Sequence, residues 1–139
     1  MKKSFTLIEL LVVLAIIGIL AAMIIASLSG ARSRARDATR KSDLRQVKTA
    51  LEQYYSDKEK YPVQTTSVNL STLSSDISTY ISKIPEDPQG TYKYQYISDA
   101  EGTKYALSST LENTKDPSYN VTCQGFTFAT DYHYMTCND

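Results

Sequence analysis

The sequence has no tryptophan, one histidine, two cysteines, four prolines and five glycines in 139 residues. Each scarcity excludes something. His133 and the two cysteines are too few to complete a conventional zinc site. No glycine-rich loop is present to cradle a phosphate, and no strand-to-helix elbow presents a nucleophile. No pair of carboxylates suggests acid–base chemistry, so nothing in the chain reads as a catalytic centre, and no enzyme is expected. Net charge is missing as well. Fifteen basic residues balance fifteen acidic ones, which points neither to nucleic acid nor to an acidic ligand.

What is present is unevenly placed. The first 41 residues carry seven basic groups, Lys2, Lys3, Arg32, Arg34, Arg36, Arg40 and Lys41, against only Glu9 and Asp37. The remaining 98 residues carry eight basic and thirteen acidic groups. Nine of the eleven tyrosines lie beyond Lys60, among many serines and threonines. That composition suits β-structure and exposed loops. Near the C-terminus, Cys123 and Cys137 form an even pair. With an export or membrane segment at the other end, it reads most simply as a disulfide made in an oxidising compartment. A loop of that size would be stabilised by roughly 3 kcal/mol in the chain-entropy picture.

The N-terminal segment carries most of the information. Leu10 to Leu28 is a run of 19 uncharged residues, and a helix of about 20 residues spans a hydrocarbon core. Glu9 stands at its head, although a carboxylate costs about 2.5–3.5 kcal/mol at the centre of a bilayer. A plain signal anchor is one reading. A cleaved secretory signal ending near Ser29-Gly30-Ala31 is another, against which the apolar run is long. Basic residues flank the run on both sides, so charge alone leaves the orientation open. The cysteine pair places the C-terminal part outside.

"KKSFTLIELLVVLAIIGILAA" resembles the leader and helix of type IV pilins and of the pseudopilins of type II secretion and DNA-uptake machines. The resemblance implies a short basic leader over residues 1–4, cut by a prepilin peptidase between Ser4 and Phe5. Phe5 would become a methylated N-terminus. Glu9 would be an assembly residue that meets the Phe5 amine of a neighbouring subunit. Such a charge pair discriminates registers, because a mismatch leaves a buried charge unpaired. Further implied partners are identical or related subunits in a polymer, an inner-membrane assembly platform, and membrane lipid before assembly. Ser4 stands where the family usually has glycine, and "MIIASL" lacks the proline that many members carry.

The fold expected is α+β. One helix runs from about Phe5 to Ser56; residues 5–29 are the membrane or filament-core part, and residues 30–139 form an extracytoplasmic globular domain. Its second half is amphipathic, since Leu44, Val47, Leu51 and Tyr54 recur at helical spacing. The intervening "SGARSRARDATRKSD" is polar all round. It suggests a solvated collar near lipid headgroups, with DNA contact as an alternative. Pro62 ends the helix region. Asn69 caps a short second helix bearing Leu70, Leu73, Ile77, Tyr80, Ile81 and Ile84. "TYKYQYIS" and "TKYALSSTLE" form a hairpin around "DAEG", with Tyr92, Tyr94 and Tyr96 on one face against the long helix. "GFTFAT", Gly125–Thr130, is the expected third strand.

"DPQGTYKYQY" resembles more loosely the segment that opens the sheet in major pseudopilins, some of which bind calcium in a loop beyond it. Here "ENTKDPSYN" offers Glu112, Asn113 and Asp116, without a recognisable ligand spacing. No cofactor is expected; Asn113 and Asp116 are weak calcium candidates, and an Asx-type turn is the simpler reading. The functional expectation is therefore a subunit of a type IV pilus-like or pseudopilus filament. It would sit in the inner membrane with its C-terminal domain outside, then pass into a periplasmic or cell-surface filament. The alternative is a membrane-anchored extracytoplasmic binding module that never polymerises.

Overall fold

A computed structural model of the chain describes residues 6–128 and 132–138. By its internal contacts the chain divides into two units, Met1–Ala35 and Arg36–Asp139. The first unit belongs to helix α1, Leu7–Lys58, which is continuous for 52 residues. Its large apolar side chains from Leu7 to Leu28 are exposed, Leu7 by 75% and Ile25 by 69%. In water such a surface would be unfavourable all round, and the segment is long and apolar enough to cross a membrane. Serine and glycine near its end are tolerated without interruption: Ser33 donates its hydroxyl back to the Gly30 carbonyl at 3.1 Å.

The second unit is built on the remainder of α1. Leu44, Val47, Ala50 and Leu51 are buried on one face, as the helical spacing of apolar residues requires. The helix stops where Glu59 takes a left-handed conformation, φ 56°, and its N–H donates to the Tyr55 carbonyl at 2.8 Å. This single closing bond is a standard helix end, here without the usual glycine.

Beside the helix lies a four-stranded antiparallel sheet in the order β1-β2-β3-β4. Its strands are β1 Val68–Asn69, β2 Gln95–Ser98, β3 Tyr105–Ser109 and β4 Tyr134–Cys137. Tyr96 pairs with Leu107 across β2 and β3, and Ser108 with Met135 across β3 and β4. Period-two alternation sends Tyr94, Tyr96, Tyr105 and Leu107 into the core with the α1 residues. The opposite face carries Ala106, Met135 and Cys123, flanked by Ile97, Phe126 and Phe128. All five β3 residues are buried.

Several expectations need correction. The second helix is short: a 3-10 turn Leu70–Leu73 runs into α2, Ser74–Ile77. Asn69 stands at the N-cap position of the turn but makes no side-chain capping bond; it pairs with Gln95 in β1, and its side-chain carbonyl accepts from Gln95 Nε2 at 2.6 Å. Tyr92 lies outside β2 and is 37% exposed, so only two of the three expected tyrosines face the helix. The segment 125–128 is not a strand; the edge position belongs to β4, and Thr130 lies outside the described residues. "FTF" has strand propensity, but Phe126 and Phe128 instead cover the outer sheet face. Packing overrides propensity there.

Gly102 fixes how the β2–β3 hairpin meets the end of α1. Its φ is +70°, and a Cβ there would lie 2.9 Å from the Tyr61 carbonyl oxygen. The Tyr61 N–H donates to the Gly102 carbonyl at 2.8 Å. Gly102→Ala must strain the turn and displace this contact. It should destabilise the protein by about 1 kcal/mol or more, read as a lower urea midpoint for the detergent-solubilised chain.

Candidate functional site

Two polar constellations stand out against this apolar frame. The first opens α1. The Thr6 hydroxyl accepts from the Glu9 N–H at 3.3 Å, while the Glu9 carboxylate accepts from the Thr6 N–H at 2.9 Å and the Thr6 hydroxyl at 2.7 Å. This reciprocal pattern is a capping box, which satisfies backbone donors left free at a helix start. Glu9 is thus held locally, at the head of an exposed apolar helix. The spacing T-x-x-E was visible in "TLIE", yet the pilin resemblance drew attention to Glu9 alone and missed Thr6. Ser4 and Phe5 lie outside the described residues.

The second constellation is buried in the globular unit around Arg40, whose side chain is fully enclosed. Its Nε and Nη2 donate to the Asp87 carboxylate at 2.6 and 3.2 Å. Its Nη1 donates to Asp37 at 2.7 Å and to Glu112 at 2.6 Å. Arg36 makes a second ion pair to Glu112 through Nη2, and its Nε donates at 2.7 Å. Asp37 also accepts the backbone N–H groups of Glu112 and Asn113 at 3.0 and 2.8 Å. Burial alone would favour the neutral form of Arg40. The hydrogen bonds to Asp87, Glu112 and Asp37 outweigh it and hold the guanidinium charged. Chiefly through the Arg36 hydrogen bond, Glu112 is pulled from 4.5 to about 2.

This cluster corrects the expected solvated collar over residues 36–41, while Arg32 and Arg34 are exposed as expected. Arg36, Arg40 and Lys41 are occupied by acids brought from the loops around residues 87, 112 and 116. The pairing of Asp37 with Arg40, three residues on in a helix, was a readable signal; the arrival of Asp87 and Glu112 was not.

The remaining expected site residues are placed as follows. Cys123 and Cys137 form a disulfide, with Cα atoms 6.1 Å apart. Lys48 Nζ donates to the Cys137 carbonyl at 2.7 Å, tying β4 to the helix. The loop 113–118 makes Asx turns. Asn113 Oδ1 accepts the Lys115 N–H at 3.2 Å, and Asp116 Oδ1 accepts the Ser118 N–H at 2.8 Å. His133 is half-buried and stacks on Tyr119 at 4.4 Å, not standing free at the surface. Among the described residues no group of three or more His, Cys, Asp or Glu side chains could hold a metal.

A membrane-length apolar helix that runs on as the spine of an α+β domain, with one carboxylate at its head, defines the pilin-like class. Residues 1–25 match the family model of the prokaryotic N-terminal methylation motif, and residues 27–119 match that of type II secretion system (T2SS), protein G. The type II secretion system core protein G of Klebsiella pneumoniae is 33% identical over 111 residues, covering 72% of this chain and 77% of that protein. The core protein G of Pseudomonas aeruginosa is 33% identical over 112 residues, covering 74% and 77%. That of Vibrio cholerae is 33% identical over 110 residues, covering 72% and 73%. No solved structure gives a significant match. The chain belongs to the type II secretion system protein G family, whose members are structural pseudopilins. The disulfide and β4 lie beyond the segment matched to the family.

Removing one partner of a buried charge cluster leaves the others uncompensated. Arg40→Met should therefore cost about 3–5 kcal/mol of stability. For Glu112 the folded value lies below the ordinary one, so its contribution is complete above pH 4.5 and is lost as pH falls through about 2. Denaturation monitored across that window should show a slope that Glu112→Gln reduces, with the lowered Asp99 and Asp116 supplying the rest.

Proposed function

We propose that this chain is a filament subunit of a secretion pseudopilus, cut between Ser4 and Phe5 by a prepilin peptidase and methylated on the new Phe5 amine. Residues 5–29 hold it in the inner membrane with the globular part outside, until an assembly platform adds it to a growing polymer of identical or related subunits. The single observation that supports this most is the placement of Glu9, one carboxylate at the head of an otherwise apolar, exposed helix face.

The capping box gives that carboxylate two states with comparable local satisfaction. In the separate subunit, Thr6 supplies its donors. Such caps contribute about 0.5–2 kcal/mol, small enough to be exchanged. In the filament, Glu9 meets the Phe5 amine of a neighbour inside packed helices, where a charge pair acts through a low dielectric. The exchange rewards the correct register and penalises any other. Lipid is the partner of the apolar face before assembly. Arg32 and Arg34, both exposed on the same unit, meet lipid headgroups at its border.

Glu9→Leu separates this reading from a membrane anchor that does not polymerise. The variant should fractionate with membranes as the parent does, and its filament yield should fall to near zero on electron micrographs and in sheared fractions. Normal filament yield would overturn the role given to Glu9.

A further inference from the structure

Loop 112–118 presents carboxylate, amide and hydroxyl oxygens, the ligand types of a calcium ion without its spacing, and these oxygens face a different cation. Lys41 Nζ lies 2.5 Å from Asp116 Oδ1 and 3.1 Å from Ser118 Oγ. It also sits 5.7 Å from the centre of the Tyr134 ring, within the range of a cation–π contact. One oxygen of Glu112 accepts from Arg36, the other from Arg36 and Arg40 in their shared pair. Asn113 Oδ1 is taken by the Lys115 N–H.

Calcium requires six to eight oxygen ligands, commonly several of them carboxylates. Here each carboxylate of the loop already neutralises a helix cation. A divalent ion at Asp116 would have to displace the Lys41 ammonium or sit against it. The donor set does not fit calcium. It fits an ammonium, which offers three donors and finds a carboxylate, a hydroxyl and an aromatic face.

The geometry points to Lys41 as a built-in cation: the ammonium, clamped between Asp116, Ser118 and Tyr134, orders loop 112–120 in place of a bound metal, so that this subunit keeps the loop folded without calcium. The consequence reaches beyond the loop. Asn120 donates its N–H to the His133 carbonyl at 2.6 Å, Val121 bridges Tyr134, and Tyr119 stacks on His133. Lys41 thereby positions the outer side of β4 as well. This inference does not rest on the filament reading, since every contact it uses lies within the globular unit of one chain.

Thermal unfolding of the full-length protein in detergent micelles, with millimolar calcium chloride or with a chelator, tests it directly. The wild-type midpoint should be the same in both. Lys41→Met should lower the midpoint by several degrees and speed amide exchange selectively over 112–120, with β2 and β3 unchanged. Added sodium chloride should narrow the gap between wild type and variant, as screening weakens a partly exposed pair. A saturable rise of the wild-type midpoint with calcium would overturn the inference, and so would unchanged exchange over 112–120 in the variant. Should the variant fail to fold, the wild-type calcium titration decides alone.

Discussion

The globular unit depends on the enclosure of one guanidinium. Arg40 lies on α1 with no exposure, and three acids from different parts of the chain converge on it: Asp37 from the preceding turn, Asp87 from the loop before β2, and Glu112 from the loop after β3. Its planar fork accepts this arrangement in a way a lysine could not. Such a cluster contributes little net stability compared with a well-packed apolar core, because each charge must leave water. Its value is in selecting one arrangement. A loop that docks one residue out of register leaves a buried charge without a partner.

The same logic, in a milder form, sets how the sheet meets the helix. Its inward face is largely tyrosine, and the phenols are received by acids of α1 or by backbone. Tyr61 and Tyr105 both donate to Glu52, at 2.9 and 3.0 Å. Tyr94 donates to Asp43 at 2.7 Å, and Tyr96 to the Pro62 carbonyl at 2.7 Å. Burial, reinforced by the carboxylates beside them, holds Tyr94 and Tyr105 neutral well past the ordinary phenol range. The rings supply apolar contact, and the hydroxyls report whether the contact is in the correct place. Four rings run from the end of α1 into the sheet: Tyr55, Tyr61, Tyr105 and Tyr96. The tyrosine stripe is core packing with polar registration.

Helix α1 was readable in its whole length because its two halves obey plain rules: an uninterrupted apolar run, then Leu44, Val47 and Leu51 on one face. The hairpin was readable from alternation around "DAEG". Harder to read were the elements fixed by distant partners. Asn69 has a cap's chemistry, but β2 recruits it into a ladder. "FTF" has a strand's composition, but the outer face of the sheet needs a cover. Edge strand β4 is short and is held by the disulfide and Lys48, features whose geometry no local pattern reveals. In the site, the family pattern singled out Glu9, whereas its local partner Thr6 follows from the T-x-x-E spacing. The Arg40 cluster was half legible: Asp37 is local, whereas Asp87 and Glu112 arrive across 47 and 72 residues.

Membership of the protein G family and the organisation of α1 converge on one physical picture. In the proposed function, an apolar helix would hold the subunit in lipid until a single carboxylate exchanged its local donors for a neighbour's amine. That picture requires a free amine at Phe5, which exists only after cleavage. The decisive measurement is the intact mass and N-terminal residue of the protein isolated from its own host's membranes. A chain beginning at Phe5, with a methyl group on its amine, is the result this account predicts. A chain beginning at Met1, or at Arg32 after cleavage of the whole apolar segment, would contradict it.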